Sequence, residues 1–171
     1  MKSLRALGRL PLLLFSAAIA AGCAELAAGV TKGVLDKVFE TTPPELEATL
    51  KASKKLNPDA YDHPSPLVVR LYELTDLTEF NAAEFYTLYE NDKDLLAKAI
   101  RGRHEIMLLP GEQQEFKREF NMETRYLGVM AAYRDLEKAV WRASVETPVD
   151  ETTYVRITFG PNSVAIEPIE D

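Results

Sequence analysis

Glu45-Leu46-Glu47-Ala48-Thr49-Leu50-Lys51-Ala52-Ser53 is the stretch on which the fold turns. Leu46, Ala48, Leu50 and Ala52 alternate with Glu47, Thr49, Lys51 and Ser53. Successive side chains of a strand point to opposite faces, so this order gives one apolar and one polar face. Leu56 rejoins the apolar set. Downstream, Leu67, Val69 and Leu71 alternate with Val68, Arg70 and Tyr72, a second strand with two usable faces and therefore a central one. The period of two recurs in Phe116/Arg118/Phe120, Leu127/Val129/Ala131/Tyr133, Trp141/Ala143/Val145, Val155/Ile157/Phe159 and Val164/Ile166. Pro110-Gly111 and Gly160-Pro161-Asn162 supply short turns. Many short strands at this spacing indicate an all-β sandwich or barrel.

One interval departs from this period. Between Leu77 and Gly102, the apolar residues Phe80, Phe85, Leu88, Tyr89, Leu95, Leu96, Ala99 and Ile100 recur at helical steps. Asn91 or Asp92 is placed to cap a second helix and Gly102 to end it. We read this as a helical insertion at about 77–102 that plugs an open edge or end of the sheets, where bare strand donors invite aggregation.

Upstream of the first strand, Thr41-Thr42-Pro43-Pro44 stops any helix, because proline lacks a donor and restricts its predecessor. Before it, Leu26, Val30, Val34, Leu35, Val38 and Phe39 recur at three- and four-residue steps, which predicts an amphipathic helix over 24–42 weakened by Gly29 and Gly33. Further upstream, Lys2, Arg5 and Arg9 precede an apolar run from Leu10 to Ala18, and Ile19-Ala20-Ala21-Gly22-Cys23 follows. A charged start, an apolar middle and small residues before a cut are the marks of a secretory leader. Cys23 is the only cysteine of the chain. A plain leader would leave it as an odd thiol in an oxidising compartment. Lipidation of Cys23 removes that difficulty. A spanning helix is disfavoured, since the run is shorter than the roughly 20 apolar residues needed and Pro11 interrupts it. The expected organisation is a lipoprotein signal over 1–22, a lipidated tether over 23–44, and a sandwich domain over 45–171. Ala24 stands where an aspartate would favour inner-membrane retention, so the periplasmic face of the outer membrane is the expected location.

The leader holds three of the 20 basic residues and none of the 27 acidic ones, so the formal charge of −7 becomes about −10 once it is removed. Such a surface repels nucleic-acid phosphates and anionic headgroups, which leaves anchoring to the acyl chains. Catalytic patterns are thin. His63 and His104 are the only histidines, and neither has the spacing of a metal ligand pair. There is no GxSxG elbow, no phosphate-binding loop and no dinucleotide motif. The carboxylate pairs Glu84/Glu90 and Asp92/Asp94 fall in the expected helices, where solvated faces account for them. We therefore expect a protein that is not an enzyme, with no cofactor beyond the lipid on Cys23.

The segment Asn57-Pro58-Asp59-Ala60-Tyr61-Asp62-His63-Pro64-Ser65 joins the first two strands. Prolines restrict it, and Tyr61 and His63 are amphipathic side chains suited to a contact surface. Composition alone favours an ordinary solvent loop. Pro66-Leu67-Val68-Val69-Arg70-Leu71-Tyr72-Glu73-Leu74, Phe80 and Phe85, Pro110-Gly111-Glu112, Leu127-Gly128-Val129-Met130-Ala131-Ala132-Tyr133-Arg134-Asp135 and Trp141-Arg142, in this order behind the cysteine, resemble the TssJ (SciN, VasD) lipoproteins of type VI secretion. The resemblance implies a transthyretin-like two-sheet β-sandwich with a small helical addition, tethered to the inner leaflet of the outer membrane. It also implies that the loop Asn57 to Ser65 binds the periplasmic C-terminal region of TssM, in a complex that contains TssL. Arg70, Tyr72, Trp141 and Arg142 match framework positions and read as packing, with Trp141 facing inward beside Ala143 and Val145. The rival class is a lipid-anchored periplasmic domain of the same shape that binds or hydrolyses a small ligand through His63 or His104. A generic envelope-stability lipoprotein is a third.

Overall fold

The computed structural model describes residues 43–149 and 151–169. Cys23, the leader and the helix expected over 24–42 lie outside the described residues. Eight strands and two short helices follow one another: β1 (Glu45–Ala52), β2 (Leu67–Leu74), α1 (Thr78–Ala82), α2 (Phe85–Leu95), β3 (Ile100–Leu108), β4 (Gln113–Glu119), β5 (Tyr126–Ala131), β6 (Arg142–Glu146), β7 (Thr153–Phe159) and β8 (Val164–Pro168). They form two four-stranded sheets, ordered β4-β1-β7-β8 and β3-β2-β5-β6.

The alternation in β1 is used as the sequence predicts. Leu46, Ala48, Leu50 and Ala52 are buried, and the residues between them are not. Ala48 stands opposite Phe116 of antiparallel β4 on one side and Val155 of parallel β7 on the other. The inner faces meet through Leu46, Leu50, Leu67, Val69, Leu127, Val129, Ile157 and Phe159, all buried in one cluster. Each such apolar side chain contributes roughly 1.5–3 kcal/mol when fully removed from water. Gly111, in the turn between β3 and β4, has φ +78, a conformation open to glycine and strained for other residues.

β2 is central in its sheet, between β3 and β5, and its second face is buried as well. The helices cover that face. Tyr72, Leu74 and Met130 of the sheet pack with Phe80, Ala83, Leu88, Leu96 and Ala99 in a second buried cluster. The insertion therefore caps the outer face of a sheet, not an open edge or end as expected, because the outward positions of β2 include the apolar Tyr72 and Leu74. Gly128 permits this approach, since a Cβ there would meet Leu74 at 3.0 Å and Phe80 at 3.1 Å.

An ion network fastens α2 to the sheet. Asp92 Oδ2 accepts from Arg103 Nε (2.7 Å), Tyr72 Oη (2.9 Å) and Arg70 Nη1 (3.1 Å). Arg70 also donates to Tyr89 O (2.6 Å) and Glu105 Oε2 (2.8 Å), and its guanidinium lies 4.5 Å from the centre of the Tyr89 ring. Burial opposes charge on Asp92, but the hydrogen bonds from Arg103 and Tyr72 and the two guanidinium charges outweigh it and hold the carboxyl below its usual range.

Two local expectations, those for Gly102 and Trp141, are corrected. Gly102 does not end a helix: α2 stops at Leu95, and Gly102 lies within β3, a strand that the charged run Arg101–Glu105 conceals. The helical path is broken at Asn91 (φ −128, ψ 29), next to the residue that holds the ion network. Trp141 is half-buried just before β6 and not enclosed in the sandwich. It packs against both clusters, edge-on to Phe85 at 5.3 Å, with the Arg142 guanidinium 4.6 Å from its ring centre.

Candidate functional site

The connection between β1 and β2 is a built loop. Its base is closed by Ser65 N–H donating to Leu56 O (3.0 Å) and Leu56 N–H donating to Ser53 O (3.0 Å). Leu56 is fully buried beneath it. Asn57, at φ 45, is buried and spends its amide inside the molecule. Its Nδ2 donates to Pro66 O (2.8 Å), its Oδ1 accepts from Arg134 N–H (2.9 Å), and its backbone N–H donates to Pro161 O (3.0 Å). One side chain thus ties the loop to the β5–β6 connection, and its backbone ties it to the β7–β8 turn.

Asp59 organises the tip. Its Oδ1 accepts from the backbone N–H of Tyr61 (2.8 Å) and His63 (2.9 Å), and its Oδ2 lies 3.3 Å from His63 Nδ1. Its own N–H donates to His63 O (2.9 Å), and its carbonyl accepts from Asp62 N–H (3.1 Å). The backbone donors of His63 and Tyr61 hold the Asp59 carboxyl below its usual range. Asp62 takes φ 62, which aspartate tolerates better than most residues. The result presents Tyr61, 81% exposed, and His63 with ring centres 6.2 Å apart.

The sequence-predicted contact residues therefore separate into kinds. Ala60, Tyr61, Asp62, His63 and Pro64 are exposed, Pro58 and Asp59 are half-buried, and Asn57 and Ser65 are buried. Asn57 and Asp59 shape the loop, and the exposed group forms its outer surface. The two histidines serve separate partners. His104 on β3 approaches Glu73 Oε1 (3.2 Å) and packs against Phe116, with ring centres 5.5 Å apart. The other Glu73 oxygen accepts from Asn121 N–H (2.8 Å) and Thr124 Oγ1 (3.3 Å), so that buried carboxylate has its bonds within the fold. Among the described residues, no group of three or more His, Cys, Asp or Glu is placed to hold a metal ion.

The comparisons agree with this architecture. A family model described as type VI secretion lipoprotein (VasD, EvfM, TssJ) matches residues 44–162. The crystal structure of the type VI lipoprotein TssJ1 from Pseudomonas aeruginosa is 35% identical, with a TM-score of 0.73 over 76% of this chain and 99% of that one. Lip of Serratia marcescens, described as a membrane-bound component of the type VI secretion system, is 24% identical, with a TM-score of 0.67 over 75% of this chain and 99% of that one. A chain described as the type VI protein TssM C-terminal domain (869-1107) from EAEC shares the fold at a TM-score of 0.58 and 24% identity, over 73% of this chain and 98% of that one. No curated protein matches by sequence. With the family model covering most of the chain and the sandwich reproduced in a lipoprotein at 35% identity, the chain belongs to the TssJ family of type VI secretion lipoproteins.

Proposed function

We propose that this protein anchors the type VI secretion membrane complex to the outer membrane and helps assemble it, by binding the periplasmic C-terminal region of TssM through the exposed tip of the β1–β2 loop. The complex would also contain TssL, and Cys23 would carry the lipid. The observation that carries the reading is an exposed tip, internally hydrogen-bonded through Asp59, at the far end of β1 from the point where the described chain enters the sandwich. Pro44 O accepts from Phe120 N–H (2.7 Å) at the entry, and Glu45 opens the strand. Eight residues at about 3.3 Å each then separate entry and loop by roughly 25 Å. The described chain thus enters β1 at one end of the strand, and the aromatic tip lies beyond the other.

Mechanically, such a domain gives a two-membrane machine a grip on the outer layer without any reaction. Preorganisation supports the role, because a tip already held by Asp59 loses little conformational freedom on binding. A photo-crosslinking amino acid placed at position 61 tests the reading in intact cells. The expected product is an adduct with TssM. Adducts only with other proteins, or none from a protein that is expressed and localised as usual, would overturn it.

A further inference from the structure

The loop shares its end of the sandwich with a second rigid surface. Asp59 and Asp62 line one side of an open groove of about 650 Å³, and Arg134, Asp135 and Lys138 of the β5–β6 connection line the other. Asn57 joins the two sides through its bond from Arg134 N–H. Tyr133 fixes the second side from below, its hydroxyl donating to Ser163 O (2.6 Å), and burial pushes that phenol up so that it keeps its proton. Val140 follows on the same connection. Its N–H donates to Asn162 O (2.9 Å) and its carbonyl accepts from Val164 N–H (2.9 Å), yet the residue is 57% exposed. A backbone tied on both sides thus presents an apolar side chain to solvent, as the Asp59 hub does for Tyr61.

We propose that residues 134–140 form the second wall of the partner's docking site, and that the partner lays a basic side chain at the groove and Glu137 and an apolar one over Val140, Glu137 and Val140 being exposed on the same connection outside the groove's lining. The proposal rests on the loop reading above. Charge selects the chemistry: residues 58–63 and 134–140 together carry four carboxylates against two cationic side chains. Complementary charge guides encounter and register, and exposed apolar groups at the rim gain from burial.

The test titrates the purified periplasmic C-terminal region of TssM against the detergent-solubilised full chain carrying Val140→Ser or Glu137→Lys. Both positions are exposed. Each variant should bind about fivefold or more weakly at an unchanged melting temperature, and the Glu137→Lys loss should shrink as salt rises. Tyr61→Ala is titrated alongside. Weaker binding by Tyr61→Ala with Val140→Ser and Glu137→Lys at wild-type affinity would overturn the second wall alone. All three at wild-type affinity would overturn the loop reading with it. A loss for Val140→Ser but none for Glu137→Lys would overturn the basic chemistry assigned to the partner.

Discussion

Asp59 is the residue whose chemistry reaches furthest. Its carboxylate holds two backbone donors of the tip, and those donors depress its pKa. A depressed carboxyl contributes order that is complete above its ordinary value of 3.8 and is lost as pH falls through the lower folded value. Acidification should therefore release the Tyr61 and His63 amides with a midpoint below 3.8. Amide chemical shifts followed through an acid titration check this, and a midpoint at or above that value would contradict it. Asp59→Ala should loosen the tip and weaken partner binding while leaving the melting temperature near wild type, because the side chain organises exposed backbone and no core. Trp141 belongs at this scale too. Its alternation with Ala143 and Val145 marked it as an inward residue, but the insertion supplies Phe85 as a partner on the other side. Trp141→Ala should lower stability by less than the roughly 3–5 kcal/mol of an enclosed aromatic, as thermal melts would show.

At the scale of elements, what the sequence disclosed depended on how each strand is solvated. β1, β5 and β7 have one alternating or continuously apolar face against the core, so period alone reveals them. β3 does not, because Arg103 and Glu105 face the ion network under α2, and polar side chains paired beneath a helix break the period that would mark a strand. The same network explains why the insertion was legible as helical while its docking site was not: its apolar steps are local, whereas Asp92 finds Arg70 and Arg103 only across the fold. In the loop, the prolines and Tyr61 pointed to a contact surface. The inward role of Asn57 was hidden, since its partners Pro66, Arg134 and Pro161 lie mostly far along the chain. Asp92→Ala should leave Arg70 and Arg103 sharing the Glu105 carboxylate alone and destabilise the protein by about 1–3 kcal/mol, the cost of leaving buried polar groups without a partner. Hydrogen exchange should locate the loosening in α2, with β1 and β7 protected more strongly. Uniform loss of protection across both sheets would mean that the helices are not a separable layer.

For the whole molecule, the proposed function needs a lipid on Cys23 and a partner surface on the β1–β2 loop. Cys23→Ser removes the only thiol of the chain and touches none of the described core. The domain should fold, leave the membrane fraction and fail to support secretion. Membrane residence of the variant without incorporated palmitate would show that another feature holds it. With a lipid on Cys23 as proposed, raising salt should not release the wild-type protein from membranes, since acyl chains and not surface charge would retain it.

The most direct test of the central claim is the dissociation constant between the detergent-solubilised full chain and the purified periplasmic C-terminal region of TssM. It should be measured for wild type and for a chain whose residues 59–63 are replaced by glycine and serine. Exposed aromatic anchors that act as hot spots contribute about 2 kcal/mol or more, so the replacement should weaken binding by well over tenfold. Melting behaviour should stay near that of wild type. Wild-type affinity in a folded protein with the replaced loop would contradict the account.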